Sequence, residues 1–133
     1  DMDKVIKMLI IHDLGECFTG DIPSFDKTEA HEQMEKELLD GWVKSLPQGY
    51  AEEMNALYEE MEERKTVEAK VYKAIDNLEA VIQHNLSDIS TWLPREYELN
   101  MTYADEKVAF SDYLTTLRQA IREDTIRKIN EAK

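Results

Sequence analysis

Apolar residues recur along this chain of 133 residues at intervals of three and four positions, which is the spacing of one face of an α-helix. The clearest stripe follows Thr66 and consists of Val67, Val71, Ala74, Ile75, Leu78 and Ile82. The same pattern predicts helices over about 3–16, 27–45, 50–64, 66–86 and 104–132. Turn signals are sparse, with four Gly and three Pro, whereas a many-stranded sandwich or barrel needs one roughly every 8–12 residues. The pattern therefore predicts an all-α fold.

Length and composition narrow the class of protein further. An apolar share of 42% in 133 residues suits one core, so residues 1–133 are interpreted as a single domain. The 29 acidic and 16 basic residues give a net charge of −13, which argues against a nucleic acid polymer as partner because like charges repel. No apolar run approaches the roughly 18 residues of a membrane span, so no membrane partner is expected. A single cysteine, Cys17, fits a reducing compartment such as the cytoplasm.

The first predicted helix carries the most chemical information. On a wheel of about 100° per residue, His12, Asp13 and Glu16 continue the stripe that Val5 and Leu9 begin. Burial of charged groups is costly unless they are paired or bound to a metal ion. An adjacent imidazole and carboxylate can share a divalent cation, and Glu16 could then serve as a base for a water molecule. The alternative is a buried His–Asp hydrogen bond without a metal ion, since most such pairs are structural.

Two further carboxylates are candidates for the same site. Asp76 lies on the fourth predicted helix, opposite its main apolar stripe and alongside Ala69 and Ala80, where small residues would allow another helix to approach. It is a possible third metal ligand, and the alternative is a solvent-facing aspartate. Asp21 follows Gly20 in a loop, where it could orient a substrate or form an ordinary Asx turn.

The string His12-Asp13-Leu14-Gly15-Glu16, followed by Gly20-Asp21-Ile22, resembles the HD-domain metal-dependent phosphohydrolases, and more narrowly their 5′-deoxynucleotidase-like branch. The segment 68–79 around Asp76 is similar to that branch as well. The resemblance implies that His12, Asp13 and Asp76 bind one divalent metal ion. It also implies that Glu16 serves the attacking water and that Asp21 lies beside the sugar end of a nucleotide. The activity implied is removal of phosphate from deoxynucleoside 5′-monophosphates by a homodimer.

The sequence departs from the family pattern in one respect. The family has a further histidine ligand on a helix upstream of the His–Asp pair, and His31 and His84 stand at the wrong places to replace it. We therefore expect an HD-type helical bundle that lacks its N-terminal helices, an N-terminally incomplete domain over residues 1–133.

The metal ion and the substrate class both have alternatives. A mixed imidazole and carboxylate set favours Mn²⁺ or Co²⁺ over Ca²⁺, with Zn²⁺, Fe²⁺ and Mg²⁺ also open. The alternatives to a monophosphate substrate are an HD hydrolase of another nucleotide class, either a triphosphate or an alarmone, and a non-catalytic dimeric helical scaffold.

Overall fold

The computed structural model describes residues 1–23 and 26–132. All regular structure in this part of the chain is helical and it contains no strand, so the all-α prediction is confirmed. The helices are α1 (Met2–Ile11), α2 (Glu16–Thr19), α3 (Glu29–Ser45), α4 (Gln48–Glu63), α5 (Val67–Leu86), a short 3₁₀ helix (Ile89–Thr91), α6 (Pro94–Thr102), α7 (Asp105–Val108) and α8 (Asp112–Glu131). None of these described helices is both long and apolar enough to cross a bilayer.

The chain divides into two compact units, Asp1–Ala69 and Lys70–Lys133. The first unit contains α1 to α4 and the start of α5, and the second contains the rest of α5 and the helices that follow it. The interpretation of residues 1–133 as a single HD-type domain stays a prediction.

In the first unit, α3 and α4 pack against each other, α2 packs against α3, and α1 contacts α4. A connection of two residues, 46–47, joins α3 to α4, as is usual for antiparallel neighbouring helices. The buried side chains of this unit include Val5, Met8, Val43 and Met61. The packing of α2 on α3 sets the position of Glu16, one of the candidate site residues.

The first predicted helix is wrong at its C-terminal end. One helix was predicted over about 3–16, but α1 ends at Ile11 and α2 begins at Glu16. In between, the N–H of Leu14 bonds to the carbonyl of Ile11 at 3.2 Å and the N–H of Glu16 to that of Asp13 at 3.0 Å, each three residues earlier, as in a tight 3₁₀-like turn. Gly15 favours this change because glycine weakens an α-helix by about 1 kcal/mol relative to alanine. The helical wheel therefore does not hold beyond Ile11.

Tyr58 fastens α4 to the end of α1. Its hydroxyl donates a hydrogen bond of 2.6 Å to the carbonyl oxygen of Ile11, at a helix end where carbonyls lack regular partners within the helix. Burial, followed by the negative charge available at Cys17, raises the pKa of the Tyr58 phenol to about 12. The phenol therefore stays neutral, and able to donate, at neutral pH.

Replacing Tyr58 with Phe should lower the free energy of unfolding by about 1 kcal/mol at neutral pH, because one hydrogen bond is lost while the ring remains. The difference should shrink as the pH rises from 10 towards about 12, since a pKa raised in the folded state makes wild-type stability fall in this window. Urea denaturation of both proteins, at neutral pH and at about pH 11, measures the two effects. Equal stability of the two proteins at neutral pH would contradict the assignment.

In the second unit, α6 and α7 both pack against α8. The core is a cluster of small and branched side chains, namely Ala74, Leu78, Val81, Ala104, Val108, Leu114 and Ile121. Ala74 and Leu78 belong to the apolar stripe predicted for α5, so that part of the stripe is buried. Burial of a branched apolar side chain stabilises a fold by roughly 1.5–3 kcal/mol.

The last predicted helix is also interrupted. One helix was predicted over about 104–132, whereas α7 ends at Val108 and α8 begins at Asp112. Ser111 starts α8, because its hydroxyl accepts a hydrogen bond of 3.3 Å from the N–H of Leu114. Ala104, just before α7, has a φ of 72°, a left-handed conformation that non-glycine residues rarely adopt. The chain therefore turns sharply on both sides of α7.

Arg118 of α8 binds this turn from inside the unit. Its side chain is almost completely buried, with a relative exposure of 1% for the residue. The guanidinium donates from Nε to the carbonyl of Tyr103 at 2.7 Å and from Nη2 to the carbonyl of Asn100 at 2.8 Å. Asp105 adds a charged partner, 3.1 Å from Nε. Burial lowers the pKa of Arg118, and Asp105 opposes that effect. One cation therefore joins α8 to the end of α6 and the start of α7.

Candidate metal centre

The imidazole of His12, which directly follows α1, is oriented by the backbone. Its Nδ1 lies 2.6 Å from the carbonyl oxygen of Leu9. A carbonyl oxygen can only accept a hydrogen bond, so Nδ1 carries the proton. In the neutral ring Nε2 then has a lone pair, which is the form in which histidine binds a metal ion. The His12 side chain is only 22% exposed.

Asp13 places a carboxylate beside that nitrogen, with Oδ2 3.0 Å from Nε2 of His12. Two electron-pair donors this close repel each other unless a proton or a metal ion binds there. Histidine and carboxylate ligands lie about 2.0–2.2 Å from a divalent ion of the size of Zn²⁺, so two ligands at a right angle, as in an octahedral site, are roughly 3 Å apart. The pair therefore fits a divalent cation, and a protonated imidazole paired with the carboxylate is the alternative that needs no metal ion.

Glu16 lies on the same side of the turn as Asp13. Residues three apart eclipse each other in a 3₁₀ turn, and the N–H of Glu16 donates to the carbonyl of Asp13 at 3.0 Å. Burial raises the pKa of the Glu16 carboxyl, and the charges of Asp13, Asp21 and Glu35 raise it further, while Lys27 lowers it. A carboxylate with a raised pKa is a stronger proton acceptor, which suits a general base.

Asp21 is exposed and follows Gly20, which ends α2. Gly20 has a φ of 83°, a conformation that glycine adopts at little cost and other residues rarely do. The charge of Asp21 contributes to the raised pKa of Glu16, so the two carboxylates share one electrostatic environment. The predicted role of Asp21 towards a sugar stays a prediction.

Lys27 and Glu35 belong to this neighbourhood, and the sequence reasoning missed both. Lys27 Nζ lies 2.8 Å from Oε2 of Glu35, and their side chains are 20% and 18% exposed. The hydrogen bond to Glu35 raises the pKa of Lys27. In the sequence, Glu35 is one of several acidic residues on α3. Only its contact with Gly15 in the folded unit distinguishes it from the others.

Asp76 belongs to the second unit, where its Oδ2 accepts a hydrogen bond of 2.7 Å from Nζ of Lys73. Both side chains are partly buried, so the carboxylate of Asp76 is not fully exposed to solvent. Within each unit, the described residues contain no group of three His, Cys, Asp or Glu side chains arranged as a metal site. Membership of Asp76 in the site with His12 and Asp13 therefore stays a prediction.

The two other histidines serve helix structure. His31 forms a capping box at the start of α3, where its N–H donates to Thr28 Oγ1 at 3.3 Å. Nδ1 of His84 lies 2.8 Å from Oδ1 of Asn100, which connects α5 to α6. Neither arrangement involves the carboxylates near Glu16.

Comparison with known proteins connects this geometry to a family. A family model described as "HD domain" matches residues 1–118. The chain is similar to the 5′-deoxynucleotidase HDDC2 of Danio rerio, with 38% identity over 84 residues, which are 61% of this chain and 42% of that protein. The corresponding Homo sapiens protein is 33% identical over 84 residues, 61% of this chain and 41% of that protein.

The protein of the same name from Dictyostelium discoideum matches a longer segment, with 30% identity over 120 residues, 89% of this chain and 58% of that protein. This chain thus spans about half the length of these curated relatives. No solved structure matches the chain.

Proposed function

The chain belongs to the HD-domain family, and we propose that its protein is a metal-dependent phosphohydrolase that removes phosphate from deoxynucleoside 5′-monophosphates. The observation that carries the proposal is the pair of donors His12 Nε2 and Asp13 Oδ2, 3.0 Å apart, next to a carboxyl with a raised pKa at Glu16. The similarity to proteins named 5′-deoxynucleotidase supports the substrate class.

His12 and Asp13, joined by Asp76, would hold the divalent ion. When bound, such an ion polarises a phosphoryl oxygen and lowers the pKa of a water molecule. The carbonyl of Leu9 keeps the proton of His12 on Nδ1, so the imidazole would hold the ion through Nε2. The ligand set is neutral imidazole plus carboxylate, which suits Mn²⁺, Co²⁺, Zn²⁺ or Fe²⁺ better than Ca²⁺.

Glu16 would accept the proton of the attacking water. The water oxygen would form a bond to phosphorus as the bond from phosphorus to the 5′ oxygen breaks. The proton taken up by Glu16 would pass to the departing 5′ oxygen, which returns Glu16 to its ionised form. The products are inorganic phosphate and a deoxynucleoside. Asp21, exposed at the end of α2, would accept hydrogen bonds from the sugar. No covalent intermediate with a side chain is required.

A release assay for inorganic phosphate tests the proposal. Deoxynucleoside monophosphates, ribonucleoside monophosphates, deoxynucleoside triphosphates and an alarmone are offered to the protein before and after chelation. We expect release from the deoxynucleoside monophosphates, its loss after chelation, and its return when one of Mn²⁺, Co²⁺, Zn²⁺, Fe²⁺ or Mg²⁺ is added back. Faster turnover of the triphosphate or the alarmone would place the protein in another HD branch. Absence of both bound metal and release would favour a helical scaffold.

We also propose that the protein is a cytoplasmic homodimer. The single cysteine, which fits a reducing compartment, supports the cytoplasmic location. The family resemblance supports the dimer. Light scattering coupled to size-exclusion chromatography measures the oligomeric state, and a monomer at micromolar concentration would contradict the dimer.

A further inference from the structure

Glu35 touches three separate points around the candidate base. Its side chain lies directly against the backbone of Gly15, where an added Cβ would come within 2.7 Å of Glu35 Cγ. Its Oε2 lies 2.8 Å from Lys27 Nζ. The same oxygen accepts a long hydrogen bond of 3.5 Å from Thr19 Oγ1. One side chain of α3 therefore contacts the turn before α2, the end of α2, and the residue just before the α3 cap.

These contact points enclose the two residues assigned to chemistry. Glu16 lies between Gly15 and Thr19, and Asp21 lies between Thr19 and Lys27. Because α2 is only four residues long, it cannot hold its shape alone, and its position depends on contacts with α3. Fixing both ends of a short segment limits the positions that the side chains between them can adopt.

Glu35 also forms an ion pair with Lys27, a cation that acts on Glu16. Lys27 is the positive charge that acts on Glu16, and the ion pair with Glu35 fixes where that charge lies. If Glu35 is lost, the partly buried ammonium of Lys27 is expected to pair with another carboxylate, because an unpaired charge away from water is costly. Glu16 is then an available partner, and a salt bridge to Lys27 would occupy the carboxylate that must accept a proton.

We propose that Glu35 is a positioning residue of this site. It holds Lys27 and the turn at Gly15 so that Glu16 and Asp21 keep their places, and it pairs with the Lys27 ammonium, which would otherwise be drawn to Glu16. Glu35 itself touches neither substrate nor metal ion. The proposal rests on the proposed function for its catalytic consequence, whereas its structural consequence, ordering of the segment from Gly15 to Asp21, can be measured without catalysis.

The test compares Glu35→Gln with Glu62→Gln in the same protein. Glu62 of α4 is the control for the loss of a Lys–Glu pair on α3, since it pairs with Lys36 at 2.8 Å in a more exposed place. Glu35→Gln should lower kcat by about 10- to 100-fold, because small displacements of a catalytic group have effects of this size. Metal content and the thermal midpoint should stay near wild type, and KM should rise, because Asp21, which is assigned to the sugar, is displaced as well. Glu62→Gln should leave kcat unchanged.

Two further measurements separate positioning from plain stability. Replacing Lys27 with Met in the Glu35→Gln variant should restore part of kcat, because the unpaired ammonium is removed. Amide hydrogen exchange over residues 15–21 should speed up about tenfold in Glu35→Gln and not in Glu62→Gln, since local opening becomes easier.

The outcomes distinguish the two proposals. Exchange over residues 15–21 that equals wild type in Glu35→Gln would overturn the positioning role whether or not the protein is a nucleotidase. Unchanged kcat in that variant, with an active wild type, would overturn it as well. A wild type that releases no phosphate from any nucleotide would overturn the proposed function, while faster exchange in Glu35→Gln would still support the ordering of the segment by Glu35.

Discussion

Replacing Glu16 with Gln should lower turnover about 10²–10⁴-fold, which is the usual contribution of a general base. Glutamine keeps the size of the side chain and can still form hydrogen bonds, but it cannot accept the proton of the attacking water. The raised pKa of Glu16, caused by burial and by the neighbouring carboxylates, shows that its surroundings favour proton uptake. Metal content and KM should change little, because Glu16 is assigned to the proton and not to the metal ion.

Replacing Asp13 with Asn provides the contrast. Asp13 supplies the oxygen 3.0 Å from Nε2 of His12, so its loss should lower metal occupancy and activity together. Elemental analysis of purified protein and single-turnover phosphate release measure the two quantities for both variants. Full activity of Glu16→Gln would remove Glu16 from the mechanism. Loss of metal from that variant would instead make Glu16 a ligand.

Residue type and spacing led to the chemistry proposed for the site, but the helical geometry assumed for it was wrong. The wheel placed His12, Asp13 and Glu16 on one stripe of a continuous helix, and the helix in fact ends at Ile11. The N–H of Glu16 still bonds to the carbonyl of Asp13 at 3.0 Å, which keeps the two residues one tight turn apart. The motif was therefore found for its residues, while the wheel angle used to place them was wrong.

The helices themselves were predictable where the residues of an apolar stripe are buried in a core. The α5 stripe was read from its spacing, and Ala74 and Leu78 are buried as expected. The interruption at Ser111 was not predicted, because a serine inside a run of helix-forming residues does not reveal whether its hydroxyl caps a helix or faces solvent.

Side chains that act through distant contacts left no signal in the sequence. Glu35 lies among acidic residues with the same helical spacing, and its contact with Gly15 joins positions 20 apart. Arg118 likewise resembles Arg122 and Arg127 of the same helix. Of these three cations the fold buries Arg118. Its burial depends on the position of the carbonyl groups at the end of α6, which no local sequence pattern shows.

Replacing Arg118 with Ala should lower the free energy of unfolding by about 3 kcal/mol, since one buried and one partly buried carbonyl group lose their donors and a cavity forms. The carbonyls are those of Asn100 and Tyr103, on either side of the turn that leads into α7. Arg118→Met should cost about half as much, because the stem is kept and the cost of burying a charge disappears. Urea denaturation measures both variants.

The control for this prediction is Arg127→Ala. Arg127 lies on the same helix and forms an exposed pair with Asp124 at 2.6 Å, and pairs of that kind contribute about 0–1 kcal/mol. Both variants replace an arginine of α8 with alanine, so the change in helix propensity is the same. The difference between their free energies of unfolding therefore reports the hydrogen bonds and the packing lost with Arg118. A loss in Arg118→Ala that matches the loss in Arg127→Ala would mean that the buried guanidinium contributes no net stability, because the free energy of its burial would then cancel that of its hydrogen bonds.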